Sequence, residues 1–137
     1  MSERTRNLPR RTCHATPGSN EKMLGKAPGL GADQVFLDLE DSVAPLEKEA
    51  AREKVVRAIN DQDWGDTVLC VRVNAWDTEW TYRDVTYVVE NASERLDEIM
   101  LPKVQSAAEV IALDLLLTQI EKATGRSSRI GIEAQIE

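Results

Sequence analysis

The sequence predicts an α/β protein of the TIM (β/α)8-barrel family, with about (βα)4β present in its 137 residues. Three observations lead there. Strand-like and helix-like patterns alternate four times and one more strand follows, a rhythm that calls for parallel strands joined by helical crossovers. Strands two, three and five each carry one aliphatic face and one face with polar groups: Asp38 and Glu40, then Arg72 and Asn74, then Glu133, Gln135 and Glu137. A barrel, with helices outside and side chains within, suits that asymmetry, whereas an open doubly wound sheet wants two aliphatic faces on its central strands. Charged residues also gather at the C-terminal ends of these strands, where barrels place their chemistry.

The elements follow in order. Residues 1–10 are polar and basic and read as an extended arm, and residues 11–16 as a short first strand. Pro17-Gly18-Ser19-Asn20 is a turn with a Ser or Asn helix cap, and Met23, Leu24 and Ala27 take helical spacing until Pro28 and Gly29 stop the helix. The second strand spans 35–41, with Val35, Leu37 and Leu39 on one face and Phe36, Asp38 and Glu40 on the other. Pro45 opens a helix over 46–60, striped by Ala51, Val55, Ala58 and Ile59 and supported by a Glu53–Arg57 pair one turn apart. The third strand covers 68–74. Asp77 is placed to cap a helix over 79–92 that turns Thr81, Val85, Val88 and Ala92 inward. The fourth strand, 99–104, is interrupted by Pro102, which belongs at its end. Ser106 and Glu109 form a capping box for a helix over 106–124 with Val110, Leu113, Leu117 and Ile120 on one stripe and Gly125 as C-cap. The fifth strand is 129–137.

Length and composition bound the rest. Residues 1–137 are read as a single domain, ordinary in being 42% hydrophobic and 30% charged. The net charge of −7 argues against general nucleic-acid binding, despite a local basic cluster of Arg4, Arg6, Arg10 and Arg11 that reads as a solvated tail or an anion site. Cys13 and Cys70 share no metal-binding or redox spacing and read as buried free thiols, and the single His14 cannot build a histidine metal centre. No apolar run is long enough for a membrane helix and no secretory signal is visible, so a reducing, cytoplasmic setting is expected.

Glu40, Asp41, Arg72, Asn74, Lys103 and Glu137 mark the ends of the strands. Carboxylates there suit a hard divalent cation such as Mg2+, and an arginine beside them suits a substrate carboxylate or oxyanion. Together they would stabilise negative charge developing on oxygen, as in enolate chemistry. A ring of structural ion pairs is the competing reading. Nucleophile elbows, Walker A loops and dinucleotide fingerprints are absent from the sequence.

Several segments form a recognisable series: Pro17-Gly18-Ser19-Asn20 with Lys22, Gly31-Ala32-Asp33, and Leu37-Asp38-Leu39-Glu40-Asp41-Ser42-Val43-Ala44-Pro45 with Lys48 and Ala51-Arg52. Arg72-Val73-Asn74, Leu101-Pro102-Lys103 and Gly131-Ile132-Glu133-Ala134-Gln135-Ile136-Glu137 complete it. In this series the chain resembles the HpcH/HpaI aldolase–citrate lyase superfamily, in its citrate lyase β-subunit and malyl-CoA lyase branch. The resemblance implies Mg2+-dependent retro-Claisen cleavage of a 3-hydroxyacyl-CoA thioester (malyl-CoA, β-methylmalyl-CoA or citramalyl-CoA type) to a 2-oxoacid and an acyl-CoA. Carried over, Arg72 holds the substrate carboxylate and carbonyl oxygen and Glu137 binds Mg2+. Glu40 and Asp41 lie near the metal's waters and the substrate. Pro17, Gly18, Ser19, Asn20 and Lys22, with the N-terminal arginines, lie where the CoA portion approaches. The resemblance also implies a homo-oligomer, trimeric or hexameric, with no membrane or nucleic-acid partner. A malyl-CoA thioesterase, a citrate lyase β-subunit and a non-catalytic half-barrel are the alternatives. Pro28 departs from the helix former commoner in the family. The family's second metal-binding aspartate falls one strand beyond Glu137, so the chain is expected to be the N-terminal part of a longer lyase and inactive alone.

Overall fold

Five parallel strands lie side by side in chain order, β1-β2-β3-β4-β5, in the computed structural model, which describes residues 8–137. They are β1 (Cys13–Pro17), β2 (Gln34–Asp38), β3 (Val68–Arg72), β4 (Glu98–Leu101) and β5 (Gly131–Ala134), alternating with α1 (Glu21–Lys26), α2 (Lys48–Asp61), α3 (Thr81–Asn91) and α4 (Ala107–Thr124). The order never reverses, so the sheet has no topological switch point of the kind an open doubly wound sheet needs. It is the first part of a barrel wall.

Register shows what each face does. Thr16, Leu37, Val71, Ile99 and Ile132 form one row across the sheet. Leu37, Val71 and Ile99 in it are fully buried against the helices, with Val55, Ile59, Val85, Val88, Leu113 and Leu117 in the same core. The adjacent rows are Ala15, Phe36, Cys70, Glu98 and Gly131, then Pro17, Asp38, Arg72, Met100 and Glu133. These inner rows carry the polar groups, as the alternating pattern anticipates.

Several local expectations change. β2 stops at Asp38, so Glu40 and Asp41 lie on the loop beyond it; β3 stops at Arg72 and β5 covers only Gly131–Ala134. Backbone bonding nonetheless continues past β5, Gln135 N–H donating to the Leu101 carbonyl at 2.9 Å. Ile136, expected on the aliphatic face, is 73% exposed. Cys70 is buried but Cys13 is exposed, since it opens an edge strand; both are free thiols. Asp77 caps nothing: Trp80 takes the N-cap position of α3 without a side-chain bond. Ser106 is the N-cap of α4 without bonding through its hydroxyl, and Glu109 accepts from the Gln105 N–H, one residue before the cap, so neither bond of the expected capping box forms. Arg57 pairs with Glu21 of α1 at 2.7 Å rather than with Glu53. Asn20 caps α1 by accepting the Met23 N–H, and Pro28 fits at the start of a short 3-10 turn (Ala27–Leu30), where its missing donor costs nothing.

The basic N-terminal cluster divides. Arg4 and Arg6, with most of the expected arm, lie outside the described residues. Arg10 grips the buried Glu98 through two nitrogens, at 2.5 and 2.7 Å, and Arg11 pairs with Asp33 at 3.0 Å. Both therefore sit at the N-terminal ends of the strands, opposite the Pro17–Asn20 turn, and do not join it in one anion site.

Candidate active site

The C-terminal ends of β2 and β3 bring Asp38, Glu40 and Arg72 together. Asp38 and Arg72 are register partners across the two strands, so their side chains leave the sheet on the same inner face. The Asp38 carboxylate accepts from Arg72 Nε at 2.8 Å and Nη2 at 2.9 Å, a bidentate pair, and also from the Glu40 N–H, the Ser42 N–H and the Ser42 hydroxyl. Burial alone would raise this carboxyl, but the guanidinium and the Ser42 donors outweigh it and hold its pKa at about 2. Asp38 is thus saturated, and its work is to aim Arg72. The guanidinium also packs over the Phe36 ring, 5.0 Å from its centroid. Its remaining nitrogen, Nη1, makes only a long 3.4 Å contact with Gln135.

Glu40 contrasts with Asp38. Its side chain is 5% exposed, one oxygen pairs with the Lys103 ammonium, and the other, Oε2, is buried with no hydrogen-bond donor and lies 3.8 Å from Arg72 Nε. Burial raises its carboxyl above the ordinary range, although Lys103 and Arg72 pull the other way. A buried carboxylate oxygen that lacks a donor among the described residues is costly, and a bound ligand is one way to satisfy it. Lys103 follows β4 with φ of 53°, a left-handed backbone that non-glycine residues seldom adopt, and its ammonium reaches Glu40 and, at 3.4 Å, Asp41.

Asp41 is exposed. Glu137 is also exposed and lines a cleft of about 270 Å³ with Ala75, Trp76, Asp77, Lys103, Gln105 and Glu109. Lys103 therefore borders that cleft and contacts Glu40 too. Among the described residues Glu40, Asp41 and Glu137 do not gather their oxygens as closely as Cys70, Glu98 and Glu133, whose ligand atoms lie within 4.8 Å of one another. That second group is poorly suited to a cation: Arg10 already neutralises Glu98, and burial drives the Cys70 thiol pKa far up.

The Pro17–Asn20 turn sits at the same end as Arg72. The Gly18 N–H donates to the Asp38 carbonyl at 2.8 Å, and a Cβ on Gly18 would come within 2.5 Å of that oxygen, so only glycine lets the two loops approach this closely. Lys54 bonds the Ser19 carbonyl, the Asn20 side chain is spent on its cap, and Lys22 is exposed.

Asn74 corrects the expectation that it shares the inner face with Arg72. Past the end of β3 it turns to the helix side, donating to the Leu39 carbonyl and to Asp84 and accepting from Lys48 Nζ at 2.7 Å. Lys48 also donates to the Leu39 and Glu40 carbonyls, both at 2.9 Å, and Asp84 receives Arg52 at 2.7 Å. Asp38's role in aiming Arg72, Lys103's contact with Glu40, and this buried network all escaped the sequence reading. A signal existed for the network: Lys48 and Arg52 continue the buried stripe of α2, and Asp84 sits on the inward stripe of α3, where polar residues need partners.

Comparison with known proteins places this geometry. The chain is 50% identical over 121 residues to the L-malyl-CoA/beta-methylmalyl-CoA lyase of Cereibacter sphaeroides (strain ATCC 17025 / ATH 2.4.3), a match covering 88% of this chain and 38% of the lyase. It is 42% identical over 104 residues to the (3S)-malyl-CoA thioesterase of the same organism, covering 76% of this chain and 35% of that enzyme. Among solved structures, the citrate lyase beta subunit of M. tuberculosis complexed with oxaloacetate and magnesium superposes with a TM-score of 0.68 at 30% identity, over 93% of this chain and 49% of that one. The chain thus spans little more than a third of the length of the two enzymes it matches by sequence. The model of the HpcH/HpaI aldolase/citrate lyase family matches residues 11–137, nearly the whole chain and every element from β1 to β5, and the chain belongs to that family.

Proposed function

We propose that these strand ends serve Mg2+-dependent carbon–carbon cleavage of a malyl-CoA-type 3-hydroxyacyl-CoA thioester, releasing a 2-oxoacid and an acyl-CoA. The observation that carries this reading is the pairing of an aimed guanidinium with a buried carboxylate oxygen that lacks a donor. Arg72, fixed by Asp38, receives the substrate carboxylate and the oxygen that becomes the oxoacid carbonyl. Glu40 Oε2 accepts the substrate's 3-hydroxyl, and its raised basicity suits it to take that proton. As the O–H electrons form the new C=O, the C2–C3 bond breaks and its electron pair passes to the thioester as an enolate, which is then protonated to the acyl-CoA.

The donor set fits a hard cation: Glu137 would hold Mg2+, with Glu40 and Asp41 beside its waters, and the ion would supply Lewis-acid stabilisation of oxygen charge. The exposed Lys22 and the fixed backbone of Pro17, Gly18, Ser19 and Asn20 would meet the CoA portion. A cytoplasmic homo-oligomer, trimeric or hexameric, completes the reading.

The likeness to a malyl-CoA thioesterase favours one second reading, in which water attacks the thioester instead. One assay separates the two. The chain, and a chimera of the Cereibacter sphaeroides lyase carrying residues 11–137 in place of its matching segment, are given malyl-CoA and Mg2+. Glyoxylate with acetyl-CoA supports the lyase; malate with free CoA supports the thioesterase. A folded chimera producing neither would overturn both.

A further inference from the structure

We infer that Lys48 and Asn74 are positioning residues that set the spacing between Glu40 and Arg72 from behind the sheet. The proposal deepens the lyase reading and rests on it for the claim that this spacing matters to substrate.

Glu40 and Arg72 sit on different strand ends, and the direct contact between them is a loose 3.8 Å. Asp38 fixes the guanidinium but bonds Glu40 only through its backbone N–H. The Glu40 carboxylate takes its place from Lys103 on one side and from the backbone that carries it on the other, and that backbone is held on the helix side. Lys48 is 5% exposed, and its three ammonium hydrogens have three acceptors: the carbonyls of Leu39 and Glu40 and the Asn74 side-chain oxygen. Asn74 lies two residues past Arg72, and its amide also donates to the Leu39 carbonyl at 3.0 Å. One lysine and one asparagine thus tie the loop after β2 to the loop after β3.

The tie is anchored rather than floating. Asp84, fully buried on α3, accepts both the backbone N–H and the side-chain amide of Asn74 on one oxygen, and Arg52 of α2 on the other. Trp80 covers the ammonium, its ring centroid 4.9 Å away. Every member of the network is paired, which is the condition under which buried polar groups enforce one geometry.

The test uses Lys48→Met and Asn74→Ala in this chain. Crystal structures should show the Glu40 Oε2 to Arg72 Nε separation widened by about 1 Å or more in both variants. Amide hydrogen exchange should accelerate at least about tenfold at Glu40, Ser42 and Val43 relative to the core amides of Leu69 and Val71, which report global unfolding. Equal acceleration at all sites, or an unchanged separation, overturns the proposal and leaves the network merely stabilising. Should Lys48→Met not fold, Asn74→Ala decides alone, because it keeps Lys48 on the loop carbonyls and removes the Asn74 side-chain bonds to Lys48, Leu39 and Asp84. Both measurements are made without substrate. A failure of the lyase reading leaves them standing, and their failure removes the positioning role whatever the chain catalyses.

Discussion

The two ends of the parallel strands are equally rich in charge and handle it differently. At the N-terminal ends, Arg10 closes on Glu98 through both oxygens, Arg11 on Asp33, and Arg95 on Asp97, whose carboxylate also receives the Leu69 N–H. At the C-terminal ends Asp38 is just as saturated, but Glu40 keeps a buried oxygen without a donor and Lys103 adopts a left-handed backbone to reach it. The first end pairs each of these carboxylates with an arginine; the second leaves one carboxylate oxygen without a donor among the described residues. In a barrel wall this is the division between holding the fold and doing chemistry.

Four substitutions break or sharpen that contrast. Arg72→Ala has the largest effect. On the proposed reading it removes the oxyanion partner, so turnover by the lyase chimera should fall by about 10²–10³-fold or more. It also strands the buried Asp38, costing about 3–5 kcal/mol in urea denaturation. Asp38→Asn is next. The folded-state pKa of Asp38, about 2, lies below its ordinary 3.8, so its contribution is present above about pH 4 and is lost as pH falls towards 2. That gap is worth about 2 kcal/mol. Native and Asp38→Asn proteins should differ by this amount at pH 6 and converge near pH 2, as read by urea midpoints. At the other end, Glu98→Gln should cost about 1–2 kcal/mol, because Arg10 is part-exposed and can turn to water. Its turnover should stay unchanged, which would confirm that end as structural. Glu40→Gln gives the smallest stability change and the opposite sign. The Glu40 pKa is raised in the folded protein, so its contribution is fullest at acid pH and is lost as pH rises through the folded value. The variant should therefore be slightly more stable than native at pH 7 by thermal melting while losing turnover.

The fold was legible because its elements obey simple periods. β2, β3 and β4 alternate or run apolar, α4 carries a clean stripe ended by Gly125, the unbroken βα rhythm called for parallel strands, and the polar faces of strands two, three and five favoured a barrel over a doubly wound sheet. Arg72 was legible as the polar end of an apolar strand. What stayed hidden depends on tertiary pairing. Asp38 looked like one of three adjacent acids, and nothing local says that it aims Arg72 while Glu40 is left with an open oxygen. Lys48 and Arg52 lie on the buried side of α2 because Asn74 and Asp84, 26 and 32 residues further on, complete their bonding, a pairing no local pattern shows. Cys13 looked like part of a buried strand, and only its place on an edge exposes it. Asp77 was a good cap by composition, but the turn before α3 is stitched by the Thr78 and Thr81 hydroxyls on the Ala75 carbonyl instead.

The unbroken strand order has a consequence in time. Each strand pairs with the one made just before it, so every sheet contact closes over a single βα unit and no early strand waits for a late one. As the chain emerges during synthesis, β1, β2 and β3 can dock in turn. Asp38, Arg72 and the Lys48–Asn74–Asp84 network all lie before residue 85, so every residue that aims the guanidinium or ties the loop behind Glu40 is made before β4 and β5. The strand ends that carry Lys103 and Glu137 follow them.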